Sequence, residues 1–404
     1  LKPATLFSAI TFGFSAEYIV QKLGEFNKFD EVSLYVKKFI TENASSFGKC
    51  RLLLQGKKYF LESESLEVLE YYRRQKVLSQ CWDGEPYRFV EDADEIVTNL
   101  EFGREQLLSL HDNSELYKKL EEMIKSEERK EAPKTETFRL GILHQYLDLV
   151  RIEREDGDRF KYMLSQEYDY KADDSDPLPV SLRPTTRIRS YQEKALNRIF
   201  VKNRARSGIV VLPCGAGKTL LGICCMTQMR KHTLIICINN MTVNQWCNQI
   251  TFFTEIDRSR IFKFISEENQ KNEPPDLTSP CIVVSTYTMI SRNDELRGAW
   301  AKKFMEKISA IEWGLLLLDE VQVAPAEMFK RAFLTKTKSH TKIGLTATLV
   351  REDNKIEDLL FYIGPKLYEE SWIELTKQGF LASCRCIEIR TKMPEMFKRE
   401  YEIK

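Results

Sequence analysis

The sequence predicts an α/β protein, with a doubly covered parallel sheet in its C-terminal half and smaller α+β parts before it. Three observations predict this. Short apolar runs recur after residue 180, and helical stretches separate most of them. A loop rich in glycine follows the first run, and an acidic, proline-containing stretch at residues 170–179 precedes them all.

The apolar runs lie at residues 209–212, 234–238, 282–284, 315–318 and 343–345. They are continuous stretches of mostly Val, Ile and Leu, as strands buried on both faces require. Helical connections between them predict βαβ units. Ligands of such sheets bind at the carboxyl ends of the strands, so functional residues are expected just after each run.

Before residue 170 the pattern differs. Residues 51–54 and 59–61 flank a turn that contains Gly56, which predicts a β-hairpin. A helix is expected over residues 63–74, begun by a serine cap. Residues 1–75 therefore form a predicted small α+β domain, residues 76–180 a second part, and residues 181–404 the parallel sheet. Charged or proline-rich stretches at 121–134, 267–280 and 291–295 predict a linker and surface loops.

Composition excludes several classes of protein. The chain has 404 residues, of which 43% are hydrophobic and 30% charged, as in globular proteins of two to three domains at roughly 100–200 residues each. No run approaches the about 18 uncharged apolar residues of a membrane span. Ten cysteines show neither zinc-ribbon spacing nor a disulfide framework, which predicts reduced core thiols. Because the first residue is Leu, we expect a fragment.

Charge is distributed unevenly. Residues 1–180 carry 26 basic and 35 acidic side chains, a net charge of −9, whereas residues 181–404 carry 35 and 25, a net charge of +10. A basic half suits a polyanion such as nucleic acid. An acidic half suits a basic protein partner or a solvated surface.

The first run leads into a phosphate-binding motif, LPCGAGKT at residues 212–219. Gly215 and Gly217 let the backbone curve around a phosphate, and the helix that follows points its N-terminus at the anion. Lys218 is expected to reach the β- and γ-phosphates, and the Thr219 hydroxyl to bind Mg²⁺. Leu212 replaces the first glycine of the strict motif.

The fourth and fifth runs also end in polar residues. Asp319 and Glu320 follow residues 315–318, where Asp319 is expected to hold Mg²⁺ and Glu320 to polarise the attacking water. Thr346 and Thr348 follow the fifth run and can hydrogen-bond to these acids. Taken alone, either string also fits a strand that merely ends at the surface.

At these motifs the sequence resembles superfamily 2 helicases of the XPB family. The resemblance is dense over residues 187–404 and looser over residues 1–75 and near residue 168. The matching strings are RARSGIVVLPCGAGKT at 204–219, VSTYTM at 284–289, LLDEVQ at 317–322, GLTATLVREDNKI at 344–356 and IGPKLYE at 363–369.

The resemblance implies a RecA-like first helicase lobe, with ATP and Mg²⁺ as cofactors, that hydrolyses ATP to move on double-stranded DNA with 3′→5′ polarity. The implied ATP contacts are Arg189, Gln192, Gly215, Gly217, Lys218 and Thr219. The implied catalytic residues are Lys218, Asp319 and Glu320, with Thr219 and Asp319 as Mg²⁺ ligands. The implied DNA contacts are residues 239–246, Ser285, Thr286, Tyr287, Arg351, Glu352 and Asp353. The implied coupling residues are Gln322, Thr346 and Thr348.

The resemblance also implies a nuclear protein that acts in transcription initiation and nucleotide excision repair. Residues 1–75 would dock onto other subunits of the general transcription factor TFIIH in a hetero-oligomer, and residues 76–180 match the position of a damage-recognition domain. No membrane association is expected.

Two departures from the family leave alternatives open. Gln322 stands where the family has His, and a Gln side chain cannot become a cation. Only 56 residues follow Thr348, whereas a second lobe needs about 150, so that lobe is expected to be absent. A non-catalytic TFIIH scaffold or a divergent paralogue with impaired ATPase activity is the first alternative. An unrelated nucleotide-binding switch is the second, and the VSTYTM and TLVRED strings argue against it.

Overall fold

The computed structural model describes residues 14–26, 32–46, 48–91, 136–143, 164–266, 273–323, 337–349 and 356–383, with a few isolated positions besides. The chain divides into two compact units, residues 1–370 and residues 371–404. The smaller unit contains the short helix Trp372–Lys377, whose first turn is capped by the Ser371 hydroxyl.

The N-terminal part is built around a mostly antiparallel sheet. Its helices are α1 (Ala16–Glu25), α2 (Leu34–Ser46), α3 (Leu66–Arg73) and α4 (Ser190–Ile199). Its strands are β1 (Cys50–Gln55), β2 (Lys58–Ser63), β3 (Arg88–Glu91), β4 (Glu136–Ile142), β5 (Leu164–Asp169), β6 (Phe200–Val201) and β7 (Arg204–Arg206). They lie in the order β3-β4-β2-β1-β5-β7-β6, and β1 pairs with β5 in parallel.

The predicted hairpin is confirmed as β1 and β2, in which Gln55 pairs with Lys58 around a turn. Gly56 has φ +60°, a left-handed conformation that side chains disfavour. The predicted start of the next helix is wrong. Ser63 is the last residue of β2, where its hydroxyl donates to the Lys49 carbonyl. Helix α3 begins three residues later, at Leu66, with Ser65 at its N-cap position.

The C-terminal part is a fully parallel sheet, which confirms the predicted fold class. Its strands are β8 (Gly208–Val211), β9 (Thr233–Cys237), β10 (Ile261–Phe264), β11 (Ile282–Thr286), β12 (Glu312–Asp319), β13 (Lys338–Thr346) and β14 (Lys366–Glu369). Its helices are α5 (Lys218–Met229), α6 (Asn240–Phe253), α7 (Tyr287–Ser291), α8 (Ala299–Ala310) and α9 (Ile356–Ile363). The order is β10-β11-β9-β12-β13-β8-β14.

All five predicted runs are strands of this sheet, and they occupy its five central positions. Every residue of β8, β9 and β11 is buried, which explains their unbroken apolar sequences. Helix α8 covers one face with Phe304 and Ile308, which join Trp313, Leu316 and Leu318 in one hydrophobic cluster. The sequence missed β10 and β14, the two edge strands.

The N-terminal sheet draws strands from all three predicted ranges. Strands β1 and β2 come from 1–75, β3 to β5 from 76–180, and β6 and β7 from 181–404. The acidic stretch at residues 170–179, which marks the boundary predicted before residue 181, contains no helix or strand. The buried Lys231 ammonium donates to its Asp173 and Ser175 carbonyls at 2.9 Å. The division into domains at residues 75 and 180 stays a prediction. The expected linker at residues 121–134 lies outside the described residues.

A buried ionic cluster joins the strands of the N-terminal sheet. The Glu62 carboxylate, with no exposed side-chain surface, accepts hydrogen bonds from Arg139 at 2.8 Å and from Arg204 at 2.6 Å. Glu167 accepts from Arg206 at 3.0 Å. Burial alone would raise the pKa of Glu62, but the arginines outweigh it and hold that pKa below its ordinary value. The cluster therefore ties β2, β4 and β7 together by charge.

Replacing Glu62 with Gln should lower the free energy of unfolding by about 3–5 kcal/mol, because Arg139 and Arg204 are left buried beside a neutral group. Urea unfolding of the full chain measures this. The matched control is Glu64→Gln: Glu64 bonds Arg51 with a side chain that is 60% exposed. That change should cost less than about 1 kcal/mol.

The pH dependence of this difference follows from the lowered pKa of Glu62. The stabilisation is present at pH values above the unfolded-state pKa of a glutamate and is lost as the pH falls through the folded-state pKa. The difference in free energy of unfolding between wild type and Glu62→Gln should therefore become smaller in acid. An equal gap at pH 7 and in acid would contradict the assignment.

Candidate nucleotide-binding site

The loop between β8 and α5 has the conformation that its glycines predict. Gly215 and Gly217 both have φ +80°, and Gly217 is the N-cap of α5. A side chain at 217 would be strained and would lie 2.7 Å from the Gln192 amide nitrogen. Lys218 and Thr219 begin the helix, so free backbone N–H groups and two functional side chains gather at one point.

Two side chains of helix α4 hydrogen-bond to the backbone of this loop. The Tyr191 hydroxyl donates to the Ala216 carbonyl at 2.8 Å, and the Gln192 amide donates to the Gly217 carbonyl at 3.2 Å. The Gln192 carbonyl oxygen accepts from the Arg189 N–H at 2.9 Å. Arg189 and Gln192 thus lie next to the loop, and the Gln192 amide bonds its backbone in this structure. Tyr191 was missed in the sequence, although it lies between them.

The two carboxylates lie at the end of β12. Asp319 is the last residue of the strand, and Glu320 follows with φ +48°. A positive φ is uncommon for a residue with a side chain and is held only where its surroundings require it. The Glu320 carboxylate lies 3.2 Å from the Lys218 ammonium. The structure therefore brings together the lysine and the glutamate that the sequence predicts.

Asp319 is buried and is bonded by two aromatic side chains. The Trp246 indole N–H donates to its carboxylate at 2.8 Å, and the Tyr287 hydroxyl donates to its backbone carbonyl at 2.9 Å. Burial raises the pKa of Asp319 above its ordinary value, against the opposing effects of Trp246 and Lys218. Sequence reasoning missed both contacts, since the partners lie 73 and 32 residues away.

A hydrogen-bonded bridge extends from Glu320 to the neighbouring strand. The Gln322 amide nitrogen donates to Glu320 at 2.8 Å, and its carbonyl oxygen accepts from the Thr346 hydroxyl. The same hydroxyl lies 2.7 Å from the Thr348 carbonyl and accepts from the Thr348 N–H at 3.1 Å. All three predicted coupling residues therefore belong to one network, and Gln322 is its centre.

A magnesium ion fits the donor set at this edge. Thr219 and Asp319 offer hydroxyl and carboxylate oxygens, which Mg²⁺ prefers, and Mg²⁺ at phosphate sites takes few protein ligands. Among the described residues, no group of three or more His, Cys, Asp or Glu side chains could hold a metal by itself. The fit is therefore that of an ion shared with phosphate oxygens.

Three of the predicted DNA contacts are not at the surface. Ser285, Thr286 and Tyr287 are all buried. The Ser285 hydroxyl donates to the Phe264 carbonyl, and Thr286 caps α7. The expected contact of these three side chains with DNA is therefore unavailable in this conformation, because each is used inside the protein.

The remaining predicted DNA contacts divide into two groups. In residues 239–246, Asn239 caps α6 and Met241 is exposed, but Trp246 is fully buried, so its side chain cannot touch DNA. Arg351, Glu352 and Asp353 lie outside the described residues, and their role stays a prediction.

Comparison with known proteins agrees with these motifs. The "general transcription and DNA repair factor IIH helicase/translocase subunit XPB" of Dictyostelium discoideum is 36% identical to the whole of this chain. That of Schizosaccharomyces pombe is 34% identical over 98% of it. The predicted resemblance to the XPB family is confirmed. The chain spans about half the length of these relatives, 51% and 49%.

A family profile described as "Type III restriction enzyme, res subunit" matches residues 185–351, which include every described residue of the candidate site. Among solved structures, the Hef helicase domain of Pyrococcus furiosus aligns with 54% of this chain and 45% of its own, at 20% identity and a TM-score of 0.39. The fold assignment of this XPB-like chain rests on the parallel pairing of β8 to β14 itself. No described helix has the length and apolarity to cross a membrane.

Cys214 is the exposed cysteine of the phosphate-binding loop, whereas the other described cysteines are buried. A bulky maleimide should label Cys214 before the other cysteines that the structure describes, because reactivity of a thiol requires access. Saturating Mg²⁺·ADP should slow the labelling several-fold, and the labelled chain should no longer bind nucleotide. Peptide mapping by mass spectrometry measures both effects. Cys214→Ala is the control; a labelling rate indifferent to nucleotide would argue against this loop as the site.

Proposed function

We propose that this XPB-like chain contains the ATP-binding and ATP-hydrolysing site of a DNA translocase or helicase. One observation carries the proposal: Lys218, Asp319, Glu320 and the Gln322–Thr346 bridge converge at the carboxyl edge of a single parallel sheet. Ligands bind at this edge in open α/β folds. The helicase or translocase activity named for the relatives supports the same conclusion.

The chain's own groups divide the chemistry among them. The backbone N–H groups of Gly215, Gly217, Lys218 and Thr219, together with the Lys218 ammonium, bind the phosphates. Thr219 and Asp319 would hold a magnesium ion, which would neutralise negative charge on the phosphates. Glu320 accepts a hydrogen bond from the attacking water and orients it toward the γ-phosphate.

The Lys218–Glu320 ion pair gives the first step of this mechanism. Before nucleotide binds, the Glu320 carboxylate at 3.2 Å neutralises the positive charge of Lys218. A triphosphate carries more negative charge than one carboxylate, so Lys218 moves to the phosphates. Glu320 is then released from the lysine and available to the water. Binding of substrate thus prepares the group that acts on the water.

Coupling to DNA is assigned to the Gln322 bridge. It joins Glu320 to Thr346 and Thr348, and so links the end of β12 to the end of β13. A movement of either strand end changes the hydrogen bonding of Glu320. The DNA itself would be drawn to residues 181–404, whose net charge is +10, with an affinity that falls steeply with salt.

Assembly and location follow from the relatives alone. Their names place them in a general transcription and DNA repair factor, so we propose that this protein too is a nuclear TFIIH subunit that opens DNA in transcription initiation and repair. Residues 1–75, within the acidic half, are the proposed docking part. A non-catalytic scaffold would not need Lys218, Thr219, Asp319 and Glu320, and all four are present.

Nucleotide binding and ATP hydrolysis, measured with and without duplex DNA, test the proposal through two variants. Lys218→Ala should weaken binding of ATP because a phosphate contact is lost. Glu320→Gln should leave binding equal or stronger, because the carboxylate that competes for Lys218 is gone, and should reduce turnover by about 10²–10⁴. Lys302→Ala, at an exposed position of α8, is the control for loss of charge. Weaker binding by Glu320→Gln would contradict the ion-pair mechanism.

Two substitutions at position 322 separate coupling from binding. Gln322→Leu cannot bridge Glu320 and Thr346, so stimulation by DNA should fall while nucleotide affinity changes less than about twofold. Gln322→His introduces a hydrogen-bonding ring that titrates near neutral pH. The ATPase rate of this variant should therefore change between pH 6 and 8 more than the rate of the wild type does. If affinity moves and DNA stimulation is unchanged, Gln322 is not a coupling residue.

A further inference from the structure

Trp246 has a contact that the proposed DNA role of its segment does not explain. It lies in the middle of α6 with no exposed surface, and its indole N–H donates to the Asp319 Oδ2 atom at 2.8 Å. An indole nitrogen is a donor and never an acceptor, so the Asp319 oxygen is the acceptor in this bond. The donor is fixed because the whole ring is buried.

The protein has made room for this ring at the phosphate-binding helix. Gly222 of α5 faces the indole, and a Cβ atom at position 222 would lie 2.7 Å from the Trp246 Cη2 atom. Gly222 is four residues after Lys218, about one helical turn. The six-membered ring of the indole therefore contacts α5, the helix that carries Lys218 and Thr219, while its N–H group bonds Asp319.

An aspartate needs such a partner if it is to present one oxygen to a metal. The terminal torsion of Asp is broad and has no single staggered minimum, so a carboxylate turns unless hydrogen bonds hold it. The Tyr287 hydroxyl holds the Asp319 backbone through its carbonyl, but it does not restrain the side chain. Among the described residues, Trp246 is the side chain that bonds the carboxylate itself.

We propose that Trp246 is a positioning residue for the magnesium ligand Asp319. By bonding Oδ2, the indole restricts rotation of the carboxylate, so that Asp319 would face a magnesium ion in one orientation. This inference rests on the proposed nucleotide site. Groups that orient metal ligands typically contribute 10–100-fold to metal affinity or activity.

The test is the gain in nucleotide affinity that Mg²⁺ provides. Affinity for a fluorescent ADP is measured on the full chain in EDTA and in saturating Mg²⁺, for wild type and Trp246→Phe. Phe keeps most of the ring but cannot donate. The affinity in EDTA, set by the loop backbone and Lys218, should stay within about twofold, while the Mg²⁺-dependent gain should fall about tenfold or more.

Trp313→Phe is the matched control. Trp313, in β12, is as fully buried as Trp246, and its indole N–H donates to the Ile308 carbonyl at 3.0 Å instead of to Asp319. Its Mg²⁺-dependent gain should equal that of the wild type. A gain retained by Trp246→Phe, or lost equally in both variants, would overturn the inference while leaving the nucleotide site standing. A wild-type chain that binds no nucleotide would instead overturn the proposed function.

A second variant covers the possibility that Trp246→Phe does not fold, which loss of a cooperative thermal transition would show. Gly222→Ala keeps the indole and its donor but displaces the ring, because the added methyl group would lie 2.7 Å from it. Its Mg²⁺-dependent gain should also fall, with affinity in EDTA preserved. A folded Gly222→Ala chain with the full gain would overturn the inference.

Discussion

The parallel register of three neighbouring strands places the whole site. Val211 at the end of β8 pairs with Thr346 at the end of β13, and Leu345 pairs with Asp319 at the end of β12. The phosphate-binding loop, the threonine pair and the acidic pair therefore leave the sheet side by side. A one-residue slip would move a buried Leu to the edge and a carboxylate to the opposite face.

The central sheet could be predicted from the sequence because its strands are buried on both faces and read as unbroken apolar runs. The edge strands could not: β10 reads IFKF and β14 reads KLYE, with a lysine in each. The strand order of the N-terminal sheet could not be predicted either, because it depends on contacts between residues far apart in sequence. Glu62 and Arg204, for example, are 142 residues apart. A hairpin is a local feature; the strand that joins it is not.

The candidate site was predictable to the same extent. Gly217, Lys218, Asp319 and Glu320 are fixed by short motifs, and the structure brings Lys218 and Glu320 together. Trp246 could not be found in this way, because nothing near residue 246 indicates that its indole meets Asp319. The burial of Ser285 was missed for a related reason: a hydroxyl at a strand end suggests an outside ligand, whereas here it satisfies the carbonyl of an adjacent strand.

Only Ser207 separates β7 of the N-terminal sheet from β8 of the parallel sheet. The chain therefore has no flexible linker between the two sheets. Strand β8, which leads into the phosphate-binding loop, follows directly after Arg204 and Arg206, which bond Glu62 and Glu167. Cutting this chain at residue 180 would remove Glu62 and Glu167, the carboxylates that bond Arg204 and Arg206. The smallest fragment that keeps this ionic cluster intact therefore includes the N-terminal sheet. Chimaeras that exchange the N-terminal part among relatives must carry both sides of the cluster together.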